Sequence, residues 1–338
     1  MTGRVALALG SGGARGYAHI GVLQVLAERG YEVVTIAGTS MGALVGGVAA
    51  AGRLEEYTEW ALTLTQPKVL RLLDPTISGG GALRAERVID RVDAILGGMR
   101  IEDCPIPFTA VATDLTHQRE VWFQRGPVHT AIRASIAIPT VITPVVVDGR
   151  VLVDGGLMNP VPLEPTAATM SDITIAVSLS GPRSIPAVDA GTADGARARG
   201  LAGAWGESLR QLGGRLAELR GQVAPEEIGP TESEVDQATD AATGQLPGSP
   251  DDRSTASPDL ATAGRTPDPS AMAFGDIVGA SLDTMGAVIT RYRMAANPPD
   301  VLITIPADAC RTMDFHRAAE MIALGRERAA QALHAAGL

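Results

Sequence analysis

Val33-Val34-Thr35-Ile36-Ala37-Gly38-Thr39-Ser40-Met41-Gly42-Ala43-Leu44-Val45-Gly46-Gly47-Val48-Ala49-Ala50-Ala51 changes character once, around Ser40. Ahead of it, Val33 to Ala37 is a short apolar run rich in β-branched residues, the pattern of a strand buried on both faces. Behind it, Ala43 to Ala51 is a run of small residues that predicts a helix packed tightly on a sheet. Between them, Gly38-Thr39-Ser40-Met41-Gly42 spells GxSxG. A nucleophile elbow needs glycine on both sides, because the strand-to-helix turn is sharp and strains the serine backbone. The turn would project Ser40 Oγ outward at the positive end of the helix, which favours negative charge by about 0.3–1 kcal/mol. It would also leave the Met41 N–H free to join an oxyanion hole. A glycine-rich start of an ordinary helix has the same spelling; the strand before and helix after are what favour the elbow.

Upstream, Val5 to Leu9 reads as a second buried strand, and Tyr17 to Arg29 as an amphipathic helix with Gln24, Glu28 and Arg29 opposite its apolar face. Strand, helix, strand and helix within about 50 residues imply an α/β layer architecture. The first strand runs into Gly10-Ser11-Gly12-Gly13-Ala14-Arg15-Gly16. Such a loop at a helix start presents backbone N–H groups to an anion. The spacing GxGxxxG is one residue too long for a dinucleotide fingerprint, and Arg15-Gly16 is not the GK[ST] of a P-loop. An oxyanion hole and a tight structural turn both remain open.

Downstream, helices are expected near Leu54–Leu64 and Arg84–Leu96, and strands at Phe108–Thr113, Glu120–Phe123, Ile173–Leu179 and Val301–Ile305. Phe315–His334 reads as a closing helix. Val145–Val147 and Arg150–Val153 flank Asp148-Gly149, a two-residue hairpin turn. Asp154-Gly155-Gly156 ends a strand with no return strand after it, so Asp154 is the better candidate for a functional carboxylate, an Asx-type turn being the alternative.

Composition narrows the function classes. The 338 residues carry a net charge of −10, and aromatics are 3%, which argues against a nucleic-acid partner. Ten of the 38 acidic residues and two of the 28 basic ones fall within 225–270, a net of −8, so the rest of the chain is nearly neutral. Two distant cysteines, Cys104 and Cys310, exclude a disulfide framework, and the five histidines form no metal-binding spacing. Thr35 to Gly52 is uncharged, but its glycines and central turn argue against a membrane span. The expected location is cytoplasmic, with peripheral contact at the inner face of the cell membrane. Three parts are expected: a catalytic core over 1–181, a low-complexity acidic insertion over 182–270 that is disordered or mobile, and a C-terminal part over 271–338 completing the core. In the insertion, Trp205, Leu209, Leu212, Leu216, Leu219 and Val223 fall at helical spacing, flanked by arginines. That stripe suits either a helix packed on the core or an interfacial lid.

The segments Leu7–Gly16, Ala37–Gly42, Ile132–Pro139 and Leu152–Pro162, with Pro298–Ile303 and Asp314–Ala318, together resemble the patatin-like phospholipase family and its bacterial neuropathy-target-esterase-like group. The resemblance implies a three-layer α/β/α fold with a mostly parallel central sheet. It implies a Ser–Asp dyad that hydrolyses lipid or other acyl esters with neither metal nor cofactor. By position, Ser40 is then the nucleophile and Asp154 the base. Gly12, Gly13, Ala14 and Met41 supply oxyanion N–H groups, Gly38 and Gly42 form the elbow, and Gly155 and Gly156 complete the aspartate motif. Arg15 orders the loop, a surface ion pair being its alternative. His316 and His334 follow Asp154 and would suit a Ser…Asp…His triad instead, while His19 reads as a packing residue. An acyltransferase or thioesterase would use the same dyad, and a scaffold protein could keep the fold without turnover.

Overall fold

The computed structural model describes residues 3–72, 74, 81–182 and 274–338. The expected insertion beyond residue 182 and its stripe at 205–223 lie outside the described residues. The first half runs β1 (Arg4–Leu9), α1 (Ala18–Glu28), β2 (Glu32–Thr39), α2 (Met41–Ala50), α3 (Leu54–Leu62), α4 (Gln66–Leu72), β3 (Gly81–Leu83), α5 (Glu86–Leu96) and β4 (Phe108–Asp114). It continues with β5 (Arg119–Phe123), α6 (Val128–Ser135), β6 (Thr140–Ile142), β7 (Val145–Val147), β8 (Arg150–Asp154) and β9 (Ile173–Gly181). The described chain closes with α7 (Phe274–Ala296), β10 (Val301–Pro306) and α8 (Ala318–Ala335).

The sheet order is β10-β9-β1-β2-β4-β8-β7, with β5 also on β4. Pairings from β10 through β4 are parallel, and those of β4 with β5 and β8, and of β8 with β7, are antiparallel. The sheet is therefore mixed and mostly parallel, as expected. The parallel strands β1, β2, β4 and β9 are largely apolar and buried, because both faces are covered there. On β1, Val5, Leu7 and Leu9 join the large core with α1, α2 and α8, while Ala8 packs on the other face with Val161, Leu163 and Ala176.

The sequence reading missed α4, α6 and the β3–β6 pair. The eight residues of α6 span little more than two turns, too few for periodicity to register. The helix expected from Arg84 starts at Glu86, because Ala85 is left-handed at φ 58°.

The register of β4 positions the site. Ala110 and Val111 pair with Gly38 and Thr39 of β2 on one edge and with β5 on the other. Ala112 pairs with β5 as well, and also with Asp154 of β8. With β5 filling one edge throughout, β8 must take the same edge as β2, starting where β2 stops. Thr39 and Asp154 thus sit opposite consecutive residues of β4.

The first and last helices close the core by near backbone contact. A Cβ on Gly325 of α8 would overlap the Ala18 carbonyl, and one on Gly21 of α1 would overlap the Ile322 carbonyl. Gly325→Ala should therefore lower stability by about 1–3 kcal/mol, read from the urea midpoint; an unchanged midpoint would show that the helices separate freely.

Candidate active site

Ser40 stands between β2 and α2 at φ 57°, ψ −122°, a conformation that L-residues adopt only when their surroundings impose it. Two contacts impose it. The Ser40 N–H donates to Ser135 Oγ at 2.8 Å, and that hydroxyl donates to the Val111 carbonyl at 2.6 Å. Gly42 lies so close to the end of β1 that a Cβ there would overlap the Leu9 carbonyl. Ser135 is a site residue that pattern reading did not find. It belongs to the Ile132–Pro139 segment, and only the tertiary fold brings it to Ser40.

Asp154 ends β8, and its Oδ1 accepts the Gly156 N–H at 2.7 Å. This is the Asx-type turn expected as an alternative to function, and here it coexists with proximity to Ser40. The Ser40 side chain lies within interaction range of the same carboxylate. Burial pushes the Asp154 carboxyl up to about 6, although the Ser40 side chain and the Gly156 N–H pull it back. Gly155 must be glycine, because a Cβ would overlap the Val111 carbonyl.

The glycine loop is fixed from several sides. The Gly10 N–H donates to Val177 at 2.9 Å and the Ser11 N–H to Pro160 at 2.8 Å. His19 is fully buried, and its Nε2 lies 2.8 Å from the Gly10 carbonyl. Burial holds the His19 pKa near 4, so the ring is neutral and Nε2–H donates to that carbonyl at neutral pH. Arg15 is buried as well and donates to the carbonyls of Ala307, at 2.8 Å, and Cys310, at 3.4 Å. It braces the segment after β10 from within the protein, so the surface ion pair considered for it does not occur.

One expected donor drops out. The Ala14 N–H is committed to the Thr312 carbonyl at 2.9 Å and is not free for an oxyanion. Among the described residues, the N–H groups of Gly12 and Gly13 have no protein partner, and that of Met41 is a first-turn amide of α2. His316 and His334 are both exposed and make no hydrogen bond to Ser40 or Asp154, so the geometry does not assemble the triad.

An apolar pocket opens on Ser40. Gly13 and Met41 flank the serine, and the walls are apolar: Leu44, Trp60, Leu64, Val69, Leu72, Val88, Ile136, Ile138, Ile142 and Phe315 among them.

The sequence model of the patatin-like phospholipase family matches residues 7–167. An uncharacterized NTE family protein of Mycobacterium tuberculosis is 48% identical over 339 residues, covering 98% of this chain and 92% of that protein. Lysophospholipase NTE1 of Mycosarcoma maydis is 32% identical over 220 residues, 61% of this chain and 10% of that one. Patatin-like phospholipase domain-containing protein 6 of Homo sapiens is 34% identical over 204 residues, 57% of this chain and 14% of that one.

The raised carboxyl has two measurable consequences. A carboxylate that serves as base must be ionised, so an esterase activity that relies on Asp154 should rise with pH through an apparent pKa of about 6 and be lost in Asp154→Asn, read as kcat/KM on an acyl ester. The folded state holds the Asp154 proton more tightly than the unfolded chain does, so this group disfavours folding increasingly from about pH 4 to pH 6, and fully above that. Asp154→Asn should then melt higher than wild type at pH 8, by up to about 3 kcal/mol in stability, and show little difference at pH 4.

Proposed function

The chain belongs to the patatin-like phospholipase family, among its NTE proteins, and from that premise we propose that it is a serine hydrolase of lipid acyl esters working through a Ser40–Asp154 dyad. The observation that carries this reading is a strained, buried serine paired with a buried carboxylate at the mouth of an apolar pocket. The named relatives, a lysophospholipase and a phospholipase-domain protein, support a lipid ester as substrate.

Ser40 Oγ attacks the ester carbonyl carbon while its proton passes to Asp154. The carbonyl oxygen becomes an oxyanion facing the N–H groups of Gly12, Gly13 and Met41, each typically worth about 10²–10³ in rate. The carbon–oxygen bond to the alcohol then breaks, and the alcohol departs with the proton from Asp154. Water attacks the acyl–Ser40 ester, Asp154 takes the water proton and returns it to Ser40, and the fatty acid leaves. The pocket walls receive the acyl chain. Leu62 and Leu70, 53% and 39% exposed, lie on α3 and α4, which carry wall residues, and support peripheral contact with a lipid surface. No helix among the described residues is long and apolar enough to cross a membrane.

A fluorophosphonate probe should label wild type and not Ser40→Ala, and only wild type should release fatty acid from lysophospholipid. Folded wild type that takes no label would end the reading. Val88→Trp should narrow the pocket and lower kcat/KM for long-chain p-nitrophenyl esters by about tenfold relative to short ones. A preference equal to wild type would show that the acyl chain lies elsewhere.

A further inference from the structure

Asn159 is fully buried, and its backbone joins the three loops of the site. Its N–H donates to the Gly155 carbonyl at 2.8 Å, directly after Asp154. Its carbonyl accepts the Thr39 hydroxyl at 2.8 Å, directly before Ser40. The next carbonyl, that of Pro160, accepts the Ser11 N–H of the glycine loop at 2.8 Å.

The Asn159 side chain is held by an unusual arrangement. Its amide nitrogen donates to Glu120 Oε2 at 3.0 Å and to Glu164 Oε2 at 3.1 Å. Its Oδ1 has no partner among the described residues, so the two carboxylates alone orient the amide. Two carboxylates gathered on one amide repel each other unless a cation offsets them. Arg293, in the last turn of α7, is that cation: Nη2 pairs with Glu120 Oε1, and Nη1 with Glu164 Oε1 at 2.6 Å. The guanidinium fork can serve both carboxylates at once, which a point charge on a flexible stem does less well. A second contact on the same helix agrees, since Met294 packs against Val161 and Leu163 just beyond Asn159.

We propose that Arg293 is a positioning residue for the dyad: by neutralising Glu120 and Glu164 it lets both hold Asn159, whose backbone sets Asp154 against Ser40. This rests on the dyad reading above. The Arg293 side chain touches neither Ser40 nor Asp154 and acts only through Asn159.

The test uses the full chain and a soluble ester, p-nitrophenyl butyrate, with enzyme counted by fluorophosphonate titration. Arg293→Gln should lower kcat per labelled site by about ten- to a hundredfold, the usual consequence of a misplacement on the ångström scale. KM should stay within about twofold, because the pocket wall is untouched. Adding Glu120→Gln and Glu164→Gln to that variant removes the uncompensated charge and should return kcat to within about threefold of wild type. Arg293→Lys, which keeps the charge and loses the fork, should fall in between. A role in stability alone would lower the melting temperature and leave kcat per labelled site at the wild-type value, and that result overturns the proposal. So does a triple variant as slow as Arg293→Gln. Should Arg293→Gln fail to fold, Arg293→Lys decides: a reduced kcat with unchanged KM supports the proposal, and a wild-type kcat overturns it. Failure of wild type itself to label or turn over would instead sink the dyad reading, so the two failures are distinguishable.

Discussion

Everything at the site depends on one shared strand edge. β2 and β8 run in opposite directions and meet end to end along the same side of β4, so Thr39 faces Val111 and Asp154 faces Ala112. β5 occupies the other side of β4 through both pairings and leaves β8 no alternative edge. A strand that ends delivers its last side chain to the sheet rim, and two strands ending at one point deliver two. Ser40 and Asp154 come together because of hydrogen-bond register.

That junction is crowded, and the crowding explains the composition around it. The Val111 carbonyl already accepts from Ser135, and it is the atom a Cβ on Gly155 would strike. Ser40 is held in a strained backbone conformation by a hydroxyl from α6, and Asp154 is desolvated enough to carry a raised pKa. Strain and burial both disfavour the folded state locally, and the surrounding core must offset them. The broad apolar clusters on both faces of the sheet provide that reserve.

Several of these features were legible in the sequence for physical reasons. The strand–GxSxG–helix succession, the glycine loop after a buried strand and the aspartate ending a strand are local patterns, and local patterns survive without coordinates. Ala14 shows where such reading fails: its amide is consumed by Thr312, about 300 residues away in sequence, and nothing in the loop's spelling announces that partner. Ser135 and Asn159 were hidden for the same reason. A serine at the end of a two-turn helix and an asparagine before a proline have ordinary local explanations, and only their long-range partners make them part of the site. The His316 and His334 alternative stood on chain order, which says nothing about distance; exposure removes it.

The sequence by itself determined the layer class of the fold and marked Ser40, Asp154 and the glycines that flank them as candidates, because steric demands at sharp turns and apolar periodicity in buried elements are written in neighbouring residues. The tertiary structure alone decided which amides remain free and which carboxylate reaches the serine. It also decided which charged groups support Asn159, because hydrogen-bond partners far apart in the chain are chosen by sheet register and helix packing.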